Sequence, residues 1–283
     1  MTVIVKAKRV LGGNRASLIG FTIVGLNIVV ALAAPLLSPG SPVKNDGLNP
    51  IAGPSLAHLA GTDKMGRDVL SRTLYGGRIA LTDTLLATVA TIVAGTALGC
   101  IVAYRRGWLD EIVMRLVDAV LSVPALLSLL VIVTVLGSHT WVLVVAITVV
   151  YAPSVARVIR AAALEVVPRD YVTAARARGE RMLPILWREV LPNVLDVVLV
   201  ECAMRASWVV LLVSSLSFLG VGANPPTPDW GLMVADNSSL IAVAPWASLA
   251  PIVALASLVV GLNLAADGLS KSLGVDRMRG NAA

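Results

Sequence analysis

Charge is scarce in this chain. Asp, Glu, Lys and Arg make up 14% of its 283 residues, against 57% that are apolar. A soluble domain of this length could not cover its surface with so few charges. Aromatic residues reach only 4%, so Ala, Val and Leu carry the apolar content. There are two cysteines, Cys100 and Cys202, both in apolar stretches. That number and spacing give neither a disulfide framework nor a metal motif. The two histidines, His58 and His139, lie too far apart for a metal site of usual spacing. The sequence lacks a Gly-x-x-x-x-Gly-Lys-Ser/Thr loop to cradle phosphates. It also lacks a Ser/His/Asp or Cys/His set with plausible partners. The chain itself therefore reads as neither an ATPase nor a hydrolase.

What is present is a series of long apolar runs. Crossing the hydrocarbon core takes about 20 apolar residues at roughly 1.5 Å rise per residue. Six segments qualify: 17–37, 84–104, 116–137, 140–156, 194–219 and 246–266. They must be helical, because lipid offers no partner for free backbone N–H and C=O groups. The first contains Ala31-Leu32-Ala33, which has the form of a signal-peptide cleavage site. The apolar run continues to Leu37 and five more spans follow, so we read it as a span. The expectation is an all-α membrane protein of six transmembrane helices. Its parts are a tail 1–16, the first span 17–37, an extracytoplasmic segment 38–83, a five-helix core 84–267 and a tail 268–283. The core includes a cytoplasmic loop, 157–193.

Basic residues set the orientation. With both termini in the cytoplasm, seventeen Lys and Arg fall inside and five outside, the latter being Lys44, Lys64, Arg67, Arg72 and Arg78. The positive-inside rule favours this arrangement. It also accounts for the net charge of +6 without invoking nucleic acid, for which no reading motif is present. Trp141, Trp230 and Trp246 fall near the expected outer boundary, and Trp108 and Trp187 near the inner one, where they suit interfacial anchoring.

The loop 157–193 holds seven arginines and an alanine-rich stretch. Asp170 is a helix N-cap candidate, Ala174, Ala175 and Ala177 are strong helix formers, and Gly179 suits a C-cap. A second helical run, 182–190, is expected to end at Leu191-Pro192. The product is a short helical hairpin. On the residues alone it is either a docking surface or an interfacial hairpin whose arginines hold lipid phosphates. Glu201 and Arg205 lie four apart within the fifth span, in the favourable order for a helical ion pair. They either bridge to each other structurally or line a pathway for a charged solute. Asp118 is expected to pair with Arg115. Pro124, Pro153 and Pro251 are candidate kinks. Gly95 and Gly99 form a Gly-x-x-x-Gly pattern that reads as helix packing.

The run Tyr171 to Gly179, followed by Val190-Leu191-Pro192, resembles the cytoplasmic loop of binding-protein-dependent ABC importer permeases. Ala174, Ala175, Gly179, Leu191 and Pro192 match that loop in type and spacing, while Thr173 stands where the pattern often has Glu. The run Gly61-Thr62-Asp63-Lys64-Met65-Gly66-Arg67-Asp68-Val69-Leu70-Ser71-Arg72 resembles the segment before the second span in dipeptide, oligopeptide and nickel permeases. Met114 to Asp118 with Pro124 is similar to the entry of their third span, Leu216 to Gly220 and Pro225 to Gly231 resemble their outer loop after span five, and Ala244-Pro245-Trp246 resembles their last span. The resemblance covers nearly the whole sequence and is closest to the second permease of the pair.

It implies a type I importer permease fold. Its expected partners are a second permease subunit, two cytoplasmic ABC ATPases, a solute-binding protein outside, and membrane lipid. ATP and magnesium would sit on the ATPases, with no cofactor on this chain. Thr173, Ala174, Ala175, Gly179, Leu191 and Pro192 would couple to the ATPases in the cytoplasmic membrane of a bacterium or archaeon. The alternative is a secondary transporter driven by an ion gradient, and a membrane scaffold is a third reading. No clear internal repeat supports the former.

Overall fold

The computed structural model describes residues 15–47 and 49–273. The charged tails that set the expected orientation lie largely outside those residues. Among the described residues there is no strand, and a single isolated bridge joins Thr62 to Asp68. Four helical stretches are long and apolar enough to cross a membrane: Val69–Arg105, Thr140–Val166, Met182–Phe218 and Pro245–Leu273. We call the first, second and fourth α3, α6 and α11. The other expected spans are realised differently.

The first is α1, Arg15–Leu32, followed after one residue by the short α2, Ala34–Leu37. The third is broken into α4, Trp108–Ser122, and α5, Ala125–Leu136, which meet at 84°. Pro124 explains the break. It cannot donate to the helix ladder, and it pushes the preceding residue out of the helical region; Val123 is extended, with φ −91° and ψ 132°. At 12 residues, α5 is about 18 Å long, well short of the roughly 30 Å hydrocarbon core.

Helix α3 starts fifteen residues before the span expected from hydropathy. Asp68 caps it, its carboxylate accepting from Ser71 N at 2.7 Å, a contact of about 1 kcal/mol. Helices α3 and α6 form the most intimate pair of the fold. Gly95 and Gly99 lie against the α6 backbone, where a Cβ on Gly95 would stand 2.9 Å from the Ala152 carbonyl and one on Gly99 2.7 Å from that of Ala156. The expected packing role of these glycines is what the structure has. Helix α1 lies along α11, and Ser257 bonds Asn27 at 3.3 Å.

One end of the bundle carries the expected hairpin and the other a plate of irregular chain. In the plate, Asp63 accepts from Met65 N, Arg67 N and Arg67 Nε, the last at 2.6 Å. Arg72 lies 3.7 Å from the same carboxylate and donates to the carbonyls of Pro42 and Pro226. Arg67 and Arg72, counted above among the outer charges, are therefore buried tie-points. Helix α10, Trp230–Asn237, closes the plate and is capped by Asp229. Burial pushes the Asp229 carboxyl above the ordinary carboxylate range, opposed by its bond from Leu232 N and by the charge of Arg72.

Two tryptophans expected at the interface belong to this plate instead. Trp230 is buried and donates to the Thr73 carbonyl at 2.8 Å, and Trp246 donates to that of Thr62 at 3.2 Å. An indole N–H buried in protein needs such a partner. Trp108, Trp141 and Trp187 are exposed, as anchors would be.

Candidate functional site

The hairpin is built from local signals. Helix α7, Asp170–Ala177, follows α6 after a three-residue link. Arg169, extended at φ −69° and ψ 151°, takes the cap position, so Asp170 is the first helical residue rather than the cap. There its charge complements the positive end of the helix dipole. Gly179 ends the helix at φ +75°. Its N–H bonds the Arg176 carbonyl and the Glu180 N–H that of Ala175. This paired closure needs a left-handed residue, which favours glycine.

The second limb departs from expectation. After α8, Met182–Ile185, one wide π turn, Leu186–Val190, feeds directly into α9, Leu191–Phe218. Leu191-Pro192 does not end the helix, because proline is tolerated in a first turn. The wide turn, whose last bond runs from Leu191 N–H to the Leu186 carbonyl, leads the chain into α9 ahead of the proline, and the Asn193 side chain bonds the Glu189 carbonyl at 2.7 Å.

Two faces of α7 have different tasks. Val172 and Ala175 are fully buried. They join Ala103, Ile159, Val166, Ile185, Val190 and Val194 in one apolar cluster, so the hairpin is packed onto the ends of α3, α6 and α9. Thr173, Ala174 and Ala177 face outward with Gly179, forming an exposed strip of small side chains. Of the residues expected to couple, Ala175 is therefore an anchor, Leu191 is half-buried and Pro192 is exposed.

Contacts the sequence did not suggest hold the hairpin to the bundle. The Arg176 guanidinium stacks 4.1 Å from the Tyr104 ring centre, a contact of about 0.5–1 kcal/mol. Arg160 makes a two-pronged bond to Asp110, both at 2.5 Å, tying α6 to α4. Asp118 pairs with Arg157, and Arg115 pairs instead with Glu111 at 2.7 Å. Arg115 lies one turn beyond Glu111 on the same helix, whereas Asp118 is within reach of α6, which sequence spacing could not show.

Glu201 and Arg205 do meet, at 3.1 Å. The Glu201 side chain is 5% exposed and that of Arg205 19%. The pair thus sits within α9 with its cationic end facing partly outward. Among the described residues, no cluster of three or more His, Cys, Asp or Glu could hold a metal ion.

A model of the family described as the binding-protein-dependent transport system inner membrane component matches residues 95–275. The chain belongs to that family. The permease is 33% identical to the dipeptide transport system permease protein DppC of Alkalihalophilus pseudofirmus over 92% of this chain and 86% of that one. It is 36% identical to the DppC of Haemophilus influenzae, covering 92% and 90%. It is also 36% identical to the glutathione transport system permease protein GsiD of Pectobacterium atrosepticum, covering 78% and 73%. Among solved structures, it resembles a chain of the methionine ABC transporter MetNI with a TM-score of 0.58 and 21% identity, over 72% of this chain and 96% of that one.

The permease is accordingly a multi-pass inner membrane subunit of a binding-protein-dependent ABC importer. It is the membrane component rather than the ATPase, and membership implies ATPase and solute-binding protein partners. Nothing in these likenesses favours an ion-gradient-driven transporter.

Proposed function

We propose that this permease pairs with a second, related permease subunit to form a pathway for dipeptides, longer peptides or a similar small solute, and that its hairpin receives the motion of an ABC ATPase. The observation that carries this reading is the two-faced helix α7. A strip of small exposed residues, Thr173, Ala174 and Ala177 with Gly179, lets a partner surface approach the backbone closely. Val172 and Ala175 weld the same helix to three long helices. Movement of a docked partner would then reach the pathway as a rigid-body shift of packed elements. The relatives named for dipeptide and glutathione transport support the choice of solute class. The hairpin end is the cytoplasmic one in this reading, with ATP and magnesium on the ATPases, no chemistry on this chain, and lipid around the helices.

Purification of the tagged complex in mild detergent tests the partners. We expect an ABC ATPase and a second permease to accompany the wild-type chain. With Gly179→Glu or Ala174→Glu the ATPase should be lost and the second permease retained. Ala174 is exposed and helical, so glutamate there adds bulk and charge without backbone strain. Undiminished ATPase in both variants would remove the coupling assignment; a chain recovered with neither partner would remove the assembly.

The ion pair enters the same reading as a held cation. Glu201 fixes Arg205, whose partly exposed guanidinium meets the charged end of a solute. Glu201→Gln should lower stability by about 2 kcal/mol, less than a fully buried pair costs because Arg205 keeps some solvent contact. Thermal unfolding would show this, and adding Arg205→Gln should recover part of the loss. Uptake should fall most for anionic solutes in Arg205→Gln. An equal effect across a charged and neutral panel would leave the pair a purely structural bridge.

A further inference from the structure

Behind the second limb of the hairpin lies a cavity of about 370 Å³ that the coupling face does not use. Ile92, Thr96 and Cys100 of α3 form one wall, Leu186 and Trp187 of the hairpin another, and Leu195 of α9 the third. All three walls belong to segments long and apolar enough to span the membrane or lead directly into one. The lining is hydrocarbon apart from the Cys100 thiol, the Trp187 indole N–H and the Thr96 hydroxyl, which is buried without a hydrogen-bond partner. Val93, Leu183, Trp187 and Leu195 are exposed, so the slot is open along its length rather than sealed.

The mouth has a different chemistry. Trp187, 73% exposed, stands at the hairpin end of the slot, and tryptophan concentrates where a bilayer meets water. Arg105 lies against the same limb, its Nε 3.5 Å from Sδ of Met182, the residue before the lining Leu183. Among the described residues Arg105 forms no ion pair, nor do Arg181 and Arg188, which flank the same limb. The one nearby carboxylate on that limb, Glu189, is paired with none of them. An apolar slot at membrane depth, ending at an exposed indole and unpaired guanidinium groups, matches a molecule with a hydrocarbon tail and an anionic head.

We propose that this slot holds an acyl chain of an anionic phospholipid, with its phosphate against Arg105. The lipid would fill the space behind Leu186 and Trp187 and brace the limb that joins the hairpin to α9. Lipid charge would thereby bear on coupling, a role separate from the docking of any ATPase.

Photolabelling of the assembled complex in nanodiscs tests this. The probe is phosphatidylglycerol with a diazirine midway along one acyl chain, diluted in phosphatidylcholine. Adducts should map to peptides spanning 92–101 and 183–198, well above those on the exposed face of α5 around Val131 and Val135. Arg105→Gln, or the same diazirine on phosphatidylcholine, should reduce them about fivefold. Ala97→Trp, which fills the slot from its exposed edge, should abolish them, and Ala97→Leu serves where the tryptophan variant does not assemble. Labelling at the slot no stronger than on α5, or unchanged by filling the slot in an assembled complex, would overturn the proposal. So would a cross-link from a cysteine at Ala97 to the second permease, which would make the slot a subunit interface.

Discussion

Asp63→Asn should melt the permease roughly 10 °C below the wild type, the size expected when a buried ion pair loses its closest carboxylate. Asparagine keeps the shape of the side chain and an oxygen that can still accept from the N–H groups of Met65 and Arg67. What disappears is charge. The Arg67 side chain is 3% exposed and that of Arg72 is not exposed at all. Asp236 lies 3.6 Å from Arg67 and already holds Lys64 at 3.0 Å, so it cannot replace Asp63 for both. Removing one member of a buried pair costs about 3–5 kcal/mol, because the other is left as an uncompensated charge. The effect should concentrate in the plate, since Arg72 also joins the chain near Pro42 to the loop at Pro226. Tryptophan fluorescence would report it, as Trp230 and Trp246 are bonded into the plate. Adding Arg67→Met should recover part of the loss by removing one stranded cation. A melting temperature within about 1 °C of the wild type would mean that the lattice contributes no more than surface pairs do.

That lattice marks the limit of what the sequence could disclose. The hairpin was legible because its signals are local: alanines for a helix, then a glycine where the closure demands φ above zero. The family resemblance of the same residues pointed to the same place. The contact at Gly95 and Gly99 was legible as a pattern, though its partner helix was not. Hydropathy placed the start of the second span at 84, because Asp68, Arg72 and Arg78 lower the average. The structure starts the helix at Val69 because Asp68 caps it and Arg72 is neutralised by residues from other parts of the chain. Lys64 and Asp236 meet across more than half the sequence, and Asp118 finds Arg157 rather than its neighbour Arg115. Such pairings depend on how helices pack, which residue spacing alone does not encode. Pro124 was legible as a kink, but not the 84° turn that lays both limbs of the broken span against α6. Leu191-Pro192 misled because a proline that would end an isolated helix stands here in the first turn of α9, after a wide turn anchored by buried Leu186 and Val190.

Gly99→Val should separate transport from ATP hydrolysis even where the complex still assembles. At this point α3 and α6 approach so closely that any Cβ on Gly99 would lie 2.7 Å from the Ala156 carbonyl and 3.0 Å from both Arg160 N and Ile159 Cβ. Two of those three atoms are backbone, so rotating a side chain cannot relieve the overlap and the helices must part. Overpacking of this kind costs about 1–3 kcal/mol. The consequence reaches further than the cost, because α6 runs from Gly99 directly to the hairpin. Arg160, beside the contact, is bonded to Asp110, and the chain enters α7 four residues after Val166. Displacing α6 there tilts the surface that the ATPase is proposed to grip relative to α3 and α9. Gly99→Ala should show a milder version, since one methyl group needs a smaller shift. The measurement is solute-stimulated ATP hydrolysis alongside uptake in reconstituted vesicles. Stimulation should fall in the order glycine, alanine, valine, with basal hydrolysis retained. Equal stimulation in all three would show that the α3–α6 contact is packing alone, and that motion reaches the pathway through α9.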